Sequence, residues 1–335
     1  MKKFLSLILI GCLVLVVGCS SQKPAEEKKA ENKVMKIGSV NAKDRSLTKG
    51  MVKFGEIVEK ETNGAIKVQV YSDGVLGGDR QTLEGLQMGT IHGTTVSTGP
   101  IAAFAPRFDA FDLPFLFKDK ATAFKVVDGP IGQEVLKDLE KVGMIGFCYW
   151  ENGFRNLTNN KRDVKTIDDI KGLKIRTLES KVHVETWKTL GANPTPMAFN
   201  QLYSALEQGV VDGQENPYGN ITANKFYEVQ KYLTNTRHVY NASPFIVSKK
   251  FWDTLSDKEK EIVKKAALEA RDYQRQLNEK EDQDSLAELK AKGVKISELN
   301  PGEQEKALQL LQPLYKEVSK TIGGDLVERL LQATK

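Results

Sequence analysis

Two arginines stand where strand-like segments run out. The stretch "WENGFRNLTNNKRD" carries Arg155 behind Gly-Phe and close to a tryptophan, and the apolar string "GLKIR" ends on Arg176. A third segment, "VVDGQENP", runs out on Gln214, Glu215 and Asn216, with Pro217 suited to the first turn of a following helix. A guanidinium presents a planar fork of N–H donors matched to a carboxylate, and it keeps its charge. Two such forks on one carboxylate would neutralise and orient it, and the Asn216 amide would add a donor. In open α/β sheets, ligands bind outside the carboxyl ends of strands. Arg155, Arg176 and Asn216 are therefore candidates for one anion-binding crevice. The spacing equally allows these arginines to sit at the surface, or to pair with Asp168, Asp169 or Glu179.

Catalytic chemistry finds little support. There is no G-x-S-x-G elbow, phosphate-binding loop, G-x-G-x-x-G turn or H-E-x-x-H helix. His92, His183 and His238 are scattered and read as structural or surface residues. No acid pair has a recognisable acid/base arrangement. No Cys or His cluster offers a metal site, and nothing calls for a cofactor. The expectation is binding rather than bond-making.

The elements that must position these residues alternate between strand and helix from Val34 onward, which predicts an α/β fold. "VMKIGSV" reads as a strand. The helix after it places Leu47, Met51, Phe54 and Val58 on one face, with Gly64 as its C-cap. "AIKVQVY" and "IHGTTVST" are further strands, and helical patterns over about 119–142 lead to the strand "GMIGFCYW". A second lobe is expected from about residue 153, with strands at "GLKIRT" and "VVDGQ" and later at "KYLTNTRHVY" and "SPFIVS". A helix of about 35 residues follows, opened by a capping box of Ser256 and Glu259, with Ile262, Ala266, Tyr273 and Leu277 on its inner face. At about 50 Å it outspans one small lobe, so it is expected to brace both. The division expected is 34–152 with about 242–280 for the first lobe, and 153–241 with about 281–335 for the second.

Composition sets outer limits. Hydrophobic residues make up 40% and charged residues 28% of 335 residues, ordinary for a globular protein of two lobes. A net charge of +5 is too mild to argue for nucleic acid, and no basic run is interleaved with aromatics. Of three cysteines, only Cys148 lies in the body, where "MIGFCYW" marks it as a core residue rather than half of a disulfide. "MKK" followed by "FLSLILIGCLVLVV" and "VVGCS" reads as a lipoprotein signal peptide over 1–18, with Cys19 as the lipidated residue. The polar stretch "SSQKPAEEKKAENK" then serves as a flexible tether over 19–33. Two or three acyl chains on Cys19 would anchor the protein stably to a membrane.

Several longer stretches resemble a known family. "NGFRNLTNNKRDV", "IDDIKGLKIRT", "LGANPTPMAFNQLYSALEQGVVDGQENP", "NKFYEVQKYL", "YSDGVLGGDRQTLEGLQMGT" and "FDLPFLF" are similar to the DctP-type solute-binding proteins of tripartite ATP-independent periplasmic (TRAP) transporters. The resemblance covers essentially the whole body. It implies a two-lobed periplasmic-binding-protein type fold that closes on a small organic anion, such as a C4-dicarboxylate, 2-oxo acid or sugar acid. It also implies delivery to the small and large TRAP membrane subunits. It places the ligand carboxylate on Arg155 and Arg176, adds Asn216, and sets Phe199 of "PMAF" against the ligand body. Asn41, Ser97 or Thr98, and Trp150 as a pocket wall complete the implied site. Sialic-acid-binding members carry a charged pair where this sequence has Ser97 and Pro100, which argues against that solute. Lys43, Arg45 and Arg80 stand open as surface residues or partners for a second carboxylate. A binding protein for an ABC importer or a sensory system is the alternative.

Overall fold

The computed structural model describes residues 32–335. The expected signal peptide, Cys19 and most of the expected tether lie outside the described residues. Among the described residues, nine strands form one sheet: β1 (Lys33–Gly38), β2 (Ile66–Tyr71), β3 (Gly93–Thr95), β4 (Met144–Asn159), β5 (Lys174–Thr177), β6 (Asn193–Pro196), β7 (Gly213–Asn216), β8 (Tyr232–Ser248) and β9 (Lys295–Glu298). Their order is β2-β1-β3-β8-β4-β7-β5-β6, with β9 added on β8. β1 pairs in parallel with β2 and β3, and β5 with β6 and β7, giving each lobe a parallel α/β core.

The two lobes share β4 and β8. These run antiparallel to one another over most of their length, so two continuous strands carry the chain between lobes. The segments "KYLTNTRHVY" and "SPFIVS", expected as separate strands, are the two ends of β8. "GMIGFCYW" likewise continues without a break through "ENGFRNLTN". Polar residues in mid-strand gave the impression of an ending. They are buried but partnered: Asn152 and Asn241 hydrogen-bond each other, and Glu151 lies 3.3 Å from the Lys120 ammonium.

The helix Ser46–Glu61 buries Leu47, Met51, Phe54 and Val58, together with Met35 and Ile37 of β1. Cys148 lies in the same cluster, and burial raises its thiol pKa to about 12. The helical pattern over 119–142 is three short pieces, because Pro130 starts a new helix at Pro130–Leu136. The long helix spans Asp257–Ala291, and both halves of its capping box are made: Ser256 Oγ accepts from the Glu259 amide, and Glu259 accepts from the Ser256 amide. It packs on Ser46–Glu61, β4 and the second-lobe helix Tyr218–Ala223, as a brace must. Its inner face is turned from the one expected. Val263, Ala266, Ala267, Ala270, Gln274 and Asn278 are buried, whereas Tyr273 is 39% exposed. The buried amides appear where the helix passes the crossing strands, and an apolar pattern could not show them. The last helices also pack differently. Gln312–Ile322 bridges the first-lobe segment Pro106–Asp112 and the helix Lys181–Thr189, and Gly324–Ala333 lies on Pro106–Asp112 and Pro130–Leu136 rather than with the second lobe. No helix among the described residues is long and apolar enough to cross a membrane.

Candidate functional site

Between the lobes lies a tight cavity with about 10 Å³ of open volume, room for scarcely one water. Strand ends build it. The first lobe contributes Val40 and Asn41 after β1, Thr95, Val96 and Ser97 at the end of β3, and Asp79 at the start of the helix Asp79–Met88. The shared strand β4 contributes Asn152 and Arg155, and the second lobe contributes Leu178 after β5, Phe199, Asn216 at the end of β7, and Asn220. This is the crevice at carboxyl strand ends where α/β folds place ligands.

Of the residues singled out from the sequence, Asn41, Ser97, Arg155, Phe199 and Asn216 line this one cavity. Arg176 flanks it, with its guanidinium carbon 5.7 Å from the centre of the Phe199 ring. Two others are elsewhere. Trp150 is a core residue, not a pocket wall. It is fully buried, stacked on Phe245 at 4.9 Å, and its Nε1 donates to the Ala267 carbonyl of the long helix. Thr98 lies just behind the cavity lining, and its hydroxyl donates to Asp112 at 2.6 Å. The change of direction along β4 comes from a bulge. Glu151 pairs with Ala242 and Gly153 with Asn241, leaving Asn152 unmatched and turned into the cavity.

The two arginines are held differently. Arg155 forms a fork-to-fork ion pair with Glu215, its Nε donating to Oε2 and its Nη2 to Oε1 at 2.9 Å, and its Nη1 donates to Asn241 at 3.2 Å. Both partners are fully buried. Burial would raise the Glu215 carboxyl, yet the Arg155 charge and the His238 hydrogen bond at 3.0 Å hold it well below the usual range. The pairing was not legible in the sequence. Register sets Glu215 opposite Leu157, beside Arg155, and only the β4–β7 ladder reveals it.

Arg176 has no carboxylate within salt-bridge distance among the described residues. Its Nε and Nη2 both donate to the Met197 carbonyl, at 2.9 and 2.6 Å, and its Nη1 is buried without a partner. Burial, reinforced by the nearby Arg155, lowers its pKa to about 10. A buried, unpaired guanidinium edge is chemically suited to donate to a carboxylate. Asp79, also missed from sequence, faces the same space. Burial raises its carboxyl to about 6 against the pull of Arg176.

The remaining cations do not reach the cavity. Arg45 is fully buried on Glu281, and Arg80 is exposed and paired with Glu84. The lining polar groups are mostly neutral amides and hydroxyls.

Known proteins resemble this chain in sequence and fold. The family model for bacterial extracellular solute-binding protein, family 7 (DctP), matches residues 37–321. The chain belongs to that family. It is a solute-binding protein of the TRAP type with the family's two-lobed α/β architecture, and the family is one of binding proteins rather than enzymes. Among solved structures, the sugar acid binding protein DctPAm of Advenella mimigardefordensis, in complex with galactonate, is 41% identical with a TM-score of 0.89, covering 91% of this chain and 98% of its own. A TRAP periplasmic solute binding protein of Polaromonas sp. JS666, bound to D-erythronate, is 40% identical with a TM-score of 0.86, covering 89% and 98%. The C4-dicarboxylate-binding periplasmic protein DctP of Rhodobacter capsulatus is 37% identical over 91% of this chain and 92% of its own length.

Proposed function

We propose that this protein captures a small hydroxylated monocarboxylate, a sugar acid in kind, by seating its carboxylate on Arg176. The unpartnered Nη1 of that buried guanidinium carries the proposal. Arg155 is already neutralised by Glu215, so it contributes a fixed edge of the site more than net charge. Phe199 covers the ligand body, and Asn41, Asn152, Asn216, Asn220 and Ser97 read its hydroxyls. No lining residue other than Arg155 is a cation, which disfavours a second carboxylate at the far end. The galactonate and D-erythronate complexes of proteins near 40% identity support the same class. The bound acid passes to the small and large membrane subunits of a TRAP permease. Acylated Cys19 holds the protein at the outer face of the cell membrane, a reading supported by "VVGCS" and the polar tether. Incorporation of labelled palmitate, lost in Cys19→Ala, tests the anchor.

A thermal-shift screen of sugar acids, 2-oxo acids and C4-dicarboxylates tests the solute class, since a ligand that binds only the native state raises its melting point. Aldonates are expected to give the largest shifts. A response to succinate alone would overturn the monocarboxylate assignment.

A further inference from the structure

Arg45 is a charged residue with no exposure at all, and the acid-binding chemistry does not use it directly. It ends the first-lobe loop that carries Asn41. Its Nη1 donates to Glu281 of the long helix at 2.5 Å and its Nη2 to the Asn152 side-chain oxygen at 2.8 Å. Asn152 in turn donates to the Asn241 oxygen at 3.0 Å, which also accepts from Arg155 at 3.2 Å and from Ser97 at 2.7 Å. The second lobe closes over this chain at one point. A Cβ on Gly219 would stand 1.7 Å from the Arg45 Nη1, 2.7 Å from its guanidinium carbon and 3.1 Å from the Glu281 carboxyl carbon. Gly219 belongs to the helix Tyr218–Ala223, between cavity residues Asn216 and Asn220. Only a bare Cα lets that helix rest on the ion pair, because any side chain would push the guanidinium off both partners.

We propose that Arg45 is a positioning residue for the acid cavity, acting through Asn152 and Asn241, and that Gly219 is the seat on which the second lobe closes over it. The proposal rests on the cavity being the acid site. When the lobes part, Gly219 leaves the guanidinium. When they meet, Arg45 fixes the Asn152 amide that faces the ligand. A polar chain of this kind couples closure to the shape of the site.

The test uses the full chain, titrated with D-galactonate, D-erythronate and succinate, with spin labels at the exposed positions Val52 and Val210 reporting the distance between lobes. Gly219→Ala is expected to weaken the best of these acids about tenfold or more, the scale of one hydrogen bond to a charged group, mainly through faster dissociation. At saturating acid it should keep an open population that the wild type loses. Arg45→Lys, which can reach Glu281 but not Asn152 as well, should fall between the two. The double variant should lose no more than the worse single one. Wild-type affinity and full closure in either single variant would overturn the proposal while leaving the acid site standing. A lower melting point with unchanged affinity would make Arg45 merely structural. Failure of the wild type to bind any of the three acids would remove the acid-site reading, and this proposal with it.

Discussion

Glu215 lies one strand over from Arg155, and that neighbour separates two arginines that look equivalent in sequence. A buried ion pair gains little over apolar packing, but breaking it leaves an uncompensated charge. Glu215→Ala is expected to lower stability by about 3–5 kcal/mol in urea denaturation. A loss under about 1 kcal/mol would show that Arg155 finds another partner. Asp79 behaves in the opposite sense. Its native carboxyl is raised to about 6 by burial, so the protonated form favours folding. That contribution is complete below the unfolded value of about 3.9 and disappears as pH rises through about 6. Ligand-free Asp79→Asn should therefore be more stable than wild type at pH 8, by roughly 1–3 kcal/mol, with the gap closing toward pH 4. A wild-type advantage at pH 8 would mean that Arg176 stabilises the ionised Asp79 carboxylate more than burial penalises it.

At the scale of elements, the bulge at Asn152 decides which side chains meet the ligand. Trp150 faces the core and Phe199 faces the cavity, so their truncations should separate. Trp150→Ala is expected to cost about 3–5 kcal/mol of stability, with the affinity of the surviving folded protein, measured by calorimetry in the cold, changed less than about threefold. Phe199→Ala should weaken binding. A Trp150 variant of normal stability and lost affinity would return that residue to the pocket wall. Apolar periodicity made the helix carrying Leu47, Met51, Phe54 and Val58 legible, and the Ser256–Glu259 box marked where the long helix starts. Strand ends at Arg176 and Asn216 were legible for the same reason: an apolar run stops on polar residues. Asn152, Glu215, Gln274 and Asn278 were not. Each is polar and buried, and its burial depends on a bulge, a register or a crossing strand that local sequence does not encode. Trp150 was misplaced because adjacency to Arg155 in sequence says nothing about a bulge between them.

For the whole molecule, the charges between the lobes are paired unevenly. Arg155 is balanced by Glu215, Arg45 by Glu281, and Asp79 is pushed toward its neutral form, while Arg176 faces the cavity edge without a carboxylate among the described residues. On the proposed function, the solute carboxylate becomes the partner that Arg176 lacks, which would tie capture to closure of the lobes. Losing one partner of such a desolvated pair costs about 2–5 kcal/mol. The direct measurement is calorimetric titration of wild type and Arg176→Ala with the acid that gives the largest thermal shift. A loss of about thirty-fold or more in affinity is expected for the variant; equal affinity would contradict the account at its centre.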